Sequence, residues 1–178
     1  GVGNVGRFLI EQISNQKEFI AKNLKINLKV LGISNSRKMI ISDSEIDLKN
    51  WSKNLDKSKI IANSADFQSK IIELNLRNSL FIDNTASDLI PNTYSEYLNN
   101  GIGIITCNKI ANSGIFSSYH NLKTLSRNNN CSFLYETNVG AALPVISTLN
   151  NLINSGDKII KIEAVLSGTL NYIFNSFK

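Results

Sequence analysis

Three sets of residues in this chain have the types and spacing to do chemistry. The first is Gly1-Val2-Gly3-Asn4-Val5-Gly6, a G-x-G-x-x-G run. Its first glycine permits a tight strand-to-helix turn, its second lets backbone approach a pyrophosphate, and its third lets the following helix pack against its strand. The helix read from Arg7 to about Phe19 aims unpaired N–H groups and the positive end of its dipole at such an anion. The second set is Asn108-Lys109, delivered by the short apolar run Gly103 to Cys107. A lysine at a strand end either polarises a substrate oxygen or is a solvated loop residue. The third is Glu136, a carboxylate at a strand end, followed by the small-residue loop Thr137-Asn138-Val139-Gly140-Ala141-Ala142-Leu143-Pro144. Such a loop turns backbone carbonyls toward one point, and with a carboxylate beside them it offers a hard cation its oxygen ligands. The alternative is an ordinary satisfied glutamate. On the motif alone, dinucleotide binding and a ligand-free glycine turn are equal readings, because G-x-G-x-x-G is specific only after a strand. That strand is expected upstream of Gly1.

The elements that must position these residues alternate. Ile26 to Ile33 has the β-branched content of a strand and runs into the polar turn Ser34-Asn35-Ser36-Arg37-Lys38. In a dinucleotide site an acid at this turn would bind a ribose 2′-hydroxyl, whereas an arginine accommodates a 2′-phosphate. Here Arg37 and Lys38 stand with no acid beside them, which favours NADP(H) or marks a plain basic loop. Asp43 to Asp66 reads as a connection with one amphipathic turn or helix around Ile46, Trp51 and Leu55, with Trp51 as packing. Phe67 to Leu76 has helical spacing, and Ser79 to Asp83 is a strand whose polar exit, Asn84-Thr85-Ala86-Ser87, is placed to line a crevice. Tyr94 to Asn100 is a helix ending at Gly101, Ser113 to Arg127 another, and Ser132 to Tyr135 a strand. Val145 to Ile153 is a helix closed at Gly156, Lys158 to Leu166 alternates as a strand, and Ser167-Gly168-Thr169 starts a last helix. Strands alternating with helices imply right-handed crossovers and a doubly wound parallel sheet of the Rossmann type, an α/β fold.

Composition bounds the rest. The 178 residues are 42% hydrophobic and 19% charged, enough for one large domain or one plus part of another. No stretch approaches a membrane span. The net charge of +5 is scattered among acids without a basic, aromatic-interleaved stripe, so neither nucleic acid nor a membrane is an expected partner. Two distant cysteines, Cys107 and Cys131, and one histidine, His120, suggest no disulfide framework and no zinc site. A reducing cytoplasm fits.

Taken together, the glycine run, Asp83-Asn84-Thr85-Ala86-Ser87, Thr106-Cys107-Asn108-Lys109, Glu136 to Pro144, and Leu166-Ser167-Gly168-Thr169-Leu170-Asn171-Tyr172-Ile173-Phe174 resemble homoserine dehydrogenase over essentially the whole chain. The long first crossover and Leu48-Lys49-Asn50-Trp51 look more like the dehydrogenase part of bifunctional aspartokinase/homoserine dehydrogenases. Asn4 and Ala142 are minor departures from the family pattern. The resemblance implies NAD(P)-dependent interconversion of L-homoserine and L-aspartate 4-semialdehyde, with NADP(H) or NAD(H) as cofactor, in a complete enzyme that is a homo-oligomer. It implies that Gly1 to Gly6 hold the pyrophosphate, that Asn35, Ser36, Arg37 and Lys38 face the adenosine ribose, and that Thr85, Ala86, Ser87 and Asn108 line the nucleotide crevice. Lys109 matches the lysine at the junction of nicotinamide and substrate, and Gly168-Thr169 a substrate-contacting turn. Glu136 with the carbonyls of Val139, Ala141 and Leu143 matches a monovalent-cation loop for sodium or potassium. The expected domains are a nucleotide-binding domain over 1–140 and the beginning of a catalytic and dimerisation domain over 141–178. A catalytic acid and a second lysine are expected beyond Lys178, so the 178 residues alone are expected not to turn over homoserine. Two other readings stay open: a different Rossmann enzyme, such as a semialdehyde dehydrogenase with Cys107 as nucleophile, and a non-catalytic dinucleotide-sensing domain.

Overall fold

The computed structural model describes residues 1–165 and 167–177. Its first element, α1 (Asn4–Leu24), starts directly on the glycine run and stops at Lys25, which takes a left-handed conformation. The expected strand over Ile26 to Ile33 is shorter and later. Only β1 (Gly32–Ser34) is regular, and it pairs antiparallel with β2 (Met39–Ile41), Gly32 opposite Ile41 and Ser34 opposite Met39. The reason is local: the Asn35 carboxamide oxygen accepts the N–H groups of Arg37 at 2.8 Å and Lys38 at 2.7 Å, closing a tight turn that folds the apolar Met39-Ile40-Ile41 back on β1.

The connection beyond β2 holds α2 (Trp51–Lys57), the expected amphipathic helix, and α3 (Ser64–Glu73), which answers to the helix expected over Phe67 to Leu76 but starts three residues earlier. The second begins ahead of its apolar positions because the Asn63 side chain caps it, accepting from the N–H groups of Ala65 and Asp66. Trp51 packs as expected, against a core formed by Ile10, Ile33, Ile46 and Leu55.

The parallel sheet comprises β3 (Leu80–Asp83), β4 (Gly103–Thr106) and β5 (Phe133–Leu134) in that order, with Asp83 opposite Thr106 and Ile104 opposite Phe133. Between β3 and β4 run a 3₁₀ turn, Ile90–Thr93, and α4 (Tyr94–Asn99), closed by Gly101 at φ +70°. Between β4 and β5, one expected helix is two, α5 (Ile110–Ser113) and α6 (Phe116–Asn128), separated at Gly114. Tyr94, Tyr97, Leu98, Ile102, Ile104, Leu122 and Phe133 form the larger core, with Phe81 stacked on Tyr97 at 4.3 Å between ring centroids. Helices therefore flank a parallel sheet, as the alternation of elements implies, while β1 closes a separate hairpin.

A 3₁₀ turn (Glu136–Asn138) leads to α7 (Val145–Asn154) and, after an extended stretch, to α8 (Gly168–Ser176). The strand expected over Lys158 to Leu166 does not form across 158–165, and Leu166 lies outside the described residues. A strand needs a neighbouring ladder, and among the described residues none stands beside this stretch, where Ile160 is 97% exposed. No helix among the described residues is long and apolar enough to cross a membrane.

Candidate functional site

The three glycines of the run separate by what surrounds them. A Cβ on Gly6 would lie 2.0 Å from the carbonyl oxygen of Gly1, and one on Gly1 would lie 2.5 Å from the Thr85 methyl. A Cβ on Gly3 would meet nothing within 4 Å. Gly6 thus lets the helix close on its own loop, Gly1 lets the loop close on the β3 exit, and Gly3 faces open space. Gly3 is also the N-cap of α1, with no side chain capping the helix and no acid in its first turn. The N–H groups of that turn therefore have no side-chain acceptor, the arrangement by which a helix start can receive an anion.

Two contacts bring the other expected cofactor segments to the same place. The Val2 N–H donates to the Ser34 carbonyl at 2.9 Å, setting the Asn35 to Lys38 turn beside the glycines. The Gly1–Thr85 contact does the same for Thr85, Ala86 and Ser87. The two cations of the turn are used differently. Lys38 is half-buried and its Nζ donates to the Asp56 carbonyl, tying the turn to the end of α2, whereas Arg37 is exposed and makes no ion pair among the described residues.

At the ends of β3 and β4 lies a buried polar group that sequence reasoning missed. Asp83 is 0% exposed, and its carboxylate accepts from the Tyr94 hydroxyl at 2.6 Å, the Asn108 Nδ2 at 3.1 Å and the Thr85 N–H at 2.8 Å. Burial, and after it the bond to Asp83, pushes the Tyr94 phenol well above its usual range, so it stays a donor. Asn108 also donates to the Ser87 carbonyl at 2.7 Å, and its Oδ1 accepts the Ile110 N–H at 3.1 Å, where α5 begins. Lys109, the next residue, is exposed on this rim as the N-cap of α5. The signal available in the sequence was Asp83 itself, an acid closing an apolar strand.

Glu136 lies against the start of α7. Its two carboxylate oxygens accept the N–H groups of Ile146 and Ser147, each at 2.8 Å, capping the start of α7. The loop it spans carries Gly140 at φ +71° and Ala141 at φ +52°, and the Leu143 carbonyl accepts from the Val145 N–H at 2.9 Å. This turn is joined to the rim, because Asn138 Nδ2 donates to the Asn108 carbonyl at 3.1 Å. Gly168 and Thr169 open α8 behind the Ser167 cap, and no hydrogen bond among the described residues links them to Lys109.

Comparison with known proteins gives the arrangement a family. Residues 1–136 match the family model described as homoserine dehydrogenase, NAD binding domain, and residues 144–178 match the one described as homoserine dehydrogenase. A bifunctional aspartokinase/homoserine dehydrogenase 1 of Zea mays, named as chloroplastic, is 41% identical over 179 residues, covering 100% of this chain and 20% of its own length. A Candida auris protein of unknown function superposes with a TM-score of 0.82 at 32% identity, over 98% of this chain and 47% of that one. A hyperthermophilic archaeal homoserine dehydrogenase, solved in complex with NADPH, superposes with a TM-score of 0.65 at 25% identity, over 86% of this chain and 47% of its own. This chain spans about a fifth of the maize relative's length. The glycine loop, the β3 and β4 exits and the turn before α7 thus lie on a chain that belongs to the homoserine dehydrogenase family.

Proposed function

We propose that this chain is the cofactor-binding part, and the opening of the catalytic part, of a homoserine dehydrogenase that interconverts L-homoserine and L-aspartate 4-semialdehyde. The domains are 1–140 for the nucleotide and 141–178 for the beginning of the catalytic and dimerisation domain. The observation that carries the reading is the uncapped start of α1, with the Ser34 to Lys38 turn, the Thr85 to Ser87 exit and the Asn108-Lys109 rim gathered around it. NADP(H) or NAD(H), when bound, supplies the hydride acceptor or donor.

The residues do the rest. The N–H groups at Gly3 to Gly6 hold the pyrophosphate, Asn35 and Ser36 face the ribose, and Ala86 and Ser87 line the crevice toward the nicotinamide. Lys109 gives a proton to the aldehyde oxygen in one direction and takes the hydroxyl proton of homoserine in the other. Gly168 and Thr169 are read as substrate contacts. In the complete enzyme, homoserine-dependent reduction of NADP, with phosphorylating oxidation of an aldehyde as the control, tests the reading. Turnover only in the control would replace it with a cysteine-nucleophile enzyme. Cofactor binding with no turnover at all would leave a sensing domain.

Cofactor choice follows from the turn after β1. With Lys38 tied to Asp56, Arg37 is the cation left for a 2′-phosphate. Arg37→Ala should weaken NADPH about tenfold or more while changing NADH less than about twofold, the loss of one charge-assisted contact. Equal losses in a binding titration would reject the role. Lys38→Ala should lower melting temperature with little change in selectivity.

For the cation, peptide oxygens suit sodium or potassium, and the carbonyls of Val139, Ala141 and Leu143 would hold it, with Glu136 fixing the loop from α7 rather than surrendering its carboxylate. Glu136→Gln should cost about 1 kcal/mol through the weakened cap and reduce the response of activity to added sodium or potassium. Activity that ignores both ions in parent and variant alike would leave Glu136 as a helix cap alone.

The enzyme is further read as a homo-oligomer, supported by apolar side chains left exposed past α7, among them Ile160 at 97% and Phe174 at 76%. Its partners are the small-molecule substrates, in a reducing compartment compatible with the free Cys107 and Cys131, for which the cytoplasm is proposed. An attached aspartokinase part is supported by the organisation of the maize relative.

A further inference from the structure

Asp83 presents a cost that the cofactor reading leaves unexplained. It is 0% exposed, and the ion pairs among the described residues, Lys17–Glu45 and Lys161–Glu163, do not include it. A buried carboxylate outside any ion pair is expensive even when hydrogen-bonded, and well-packed apolar side chains usually serve stability better. What the carboxylate secures here is geometric. Through Oδ2 it holds both the Tyr94 hydroxyl at 2.6 Å and the Asn108 amide at 3.1 Å.

Asn108 then has every polar group engaged. Its Nδ2 also reaches the Ser87 carbonyl at 2.7 Å, its Oδ1 takes the Ile110 N–H at 3.1 Å, its own N–H goes to Thr106 Oγ1 at 2.9 Å, and its carbonyl takes Asn138 Nδ2 at 3.1 Å. The hydroxyls of Tyr94 and Thr106 lie 2.9 Å apart, closing the set. An asparagine bound in this way has one backbone conformation, and the residue it hands that conformation to is Lys109.

We propose that Asp83, acting through Tyr94 and Asn108, is a positioning residue that fixes the Asn108-Lys109 backbone, setting the lysine on the rim and locking the Ser87 exit to it. The inference rests on the reading of Lys109 as the group at the reacting oxygen. Asp83 and Tyr94 act from beneath the site, since both are fully buried. A purely structural role would instead show as lost stability, with the kinetics of the folded enzyme unchanged.

The test uses the complete enzyme with Tyr94→Phe, which keeps the packed ring and removes only the hydroxyl, and Asp83→Asn, which sets an amide donor against Asn108 Nδ2. Each should lower kcat by about tenfold or more, since small misplacements of a catalytic group are costly, while NADPH Kd stays within about threefold. In the cofactor-free enzyme, amide hydrogen exchange over residues 108–113 should accelerate by about tenfold or more in both variants. Variants that fold and keep kcat within about threefold of the parent, or whose kcat and NADPH Kd worsen in step with melting temperature, overturn the proposal. If Asp83→Asn fails to fold, Tyr94→Phe decides alone. A parent without homoserine turnover, or a Lys109→Ala variant that retains it, overturns the functional reading on which the inference stands and is distinguished by that control.

Discussion

Lys109→Ala in the complete enzyme is expected to lower kcat for homoserine oxidation by about 10²- to 10⁴-fold, the range for a positioned proton-transfer group, with NADPH Kd within about threefold. The split follows from where Lys109 sits. It is exposed on the rim at the N-cap of α5, one residue beyond an asparagine that fills its own hydrogen bonds, so truncating the side chain leaves the backbone of the crevice as it was. The main holds proposed for the cofactor, the start of α1 and the Arg37 turn, lie on other segments. Lys109→Arg should recover little, because a planar guanidinium cannot occupy the place of a compact ammonium whose proton must move. Steady-state kinetics in both directions with a fluorescence titration of NADPH give the two numbers. A variant within about tenfold of the parent kcat would remove Lys109 from the chemistry.

The parts of the fold legible in the sequence are those decided by neighbours along the chain. Gly1 to Gly6 followed by a helix, and the apolar runs at Leu80–Asp83 and Gly103–Thr106 with polar exits, are local patterns, and the structure forms each. The hairpin was half legible. The β-branched run before Ser34 was visible, yet its pairing with Met39–Ile41 depends on a side-chain bond of Asn35 to its own turn, which competes with continuation of the strand. Lys158 to Val165 alternates like a strand, but alternation cannot create the ladder partner a strand requires.

The site divides the same way. The glycine loop and the strand exits are legible as motifs, whereas the Asp83 network is not, because it joins Asp83 to Tyr94 and to Asn108 across separations of 11 and 25 residues. Lys38 is a case of another kind. Its type suits a phosphate ligand, and the fold adds a bond from its ammonium to the carbonyl of Asp56 that the sequence does not show. Glu136 belongs with it: an acid ahead of a helix is a cap as readily as a ligand, and here both oxygens meet N–H groups of α7.

Gly6→Ala and Gly3→Ala are expected to fail in different ways, although both remove a glycine from one motif. At Gly6 the added methyl would stand 2.0 Å from the Gly1 oxygen and 3.0 Å from its carbonyl carbon, both backbone atoms that no rotamer change can move aside. Either α1 shifts from its loop or the loop shifts from Thr85, so Gly6→Ala should cost about 1–3 kcal/mol of stability, the usual range for overpacking. Because the displaced atoms carry the N–H groups of the helix start, NADPH Kd should also rise by about 100-fold or more, equivalent to roughly 3 kcal/mol. At Gly3 the methyl meets no protein atom within 4 Å, and the backbone at φ −79° and ψ −155° is open to alanine. Gly3→Ala should therefore leave the melting temperature essentially unchanged while weakening NADPH by about tenfold, because the methyl enters the space proposed for the pyrophosphate at the helix start. Thermal melts and titrations of the two variants in the complete enzyme separate steric support of the loop from access to the ligand. If Gly3→Ala melted early and bound NADPH normally, the open face at the start of α1 would not be the phosphate site.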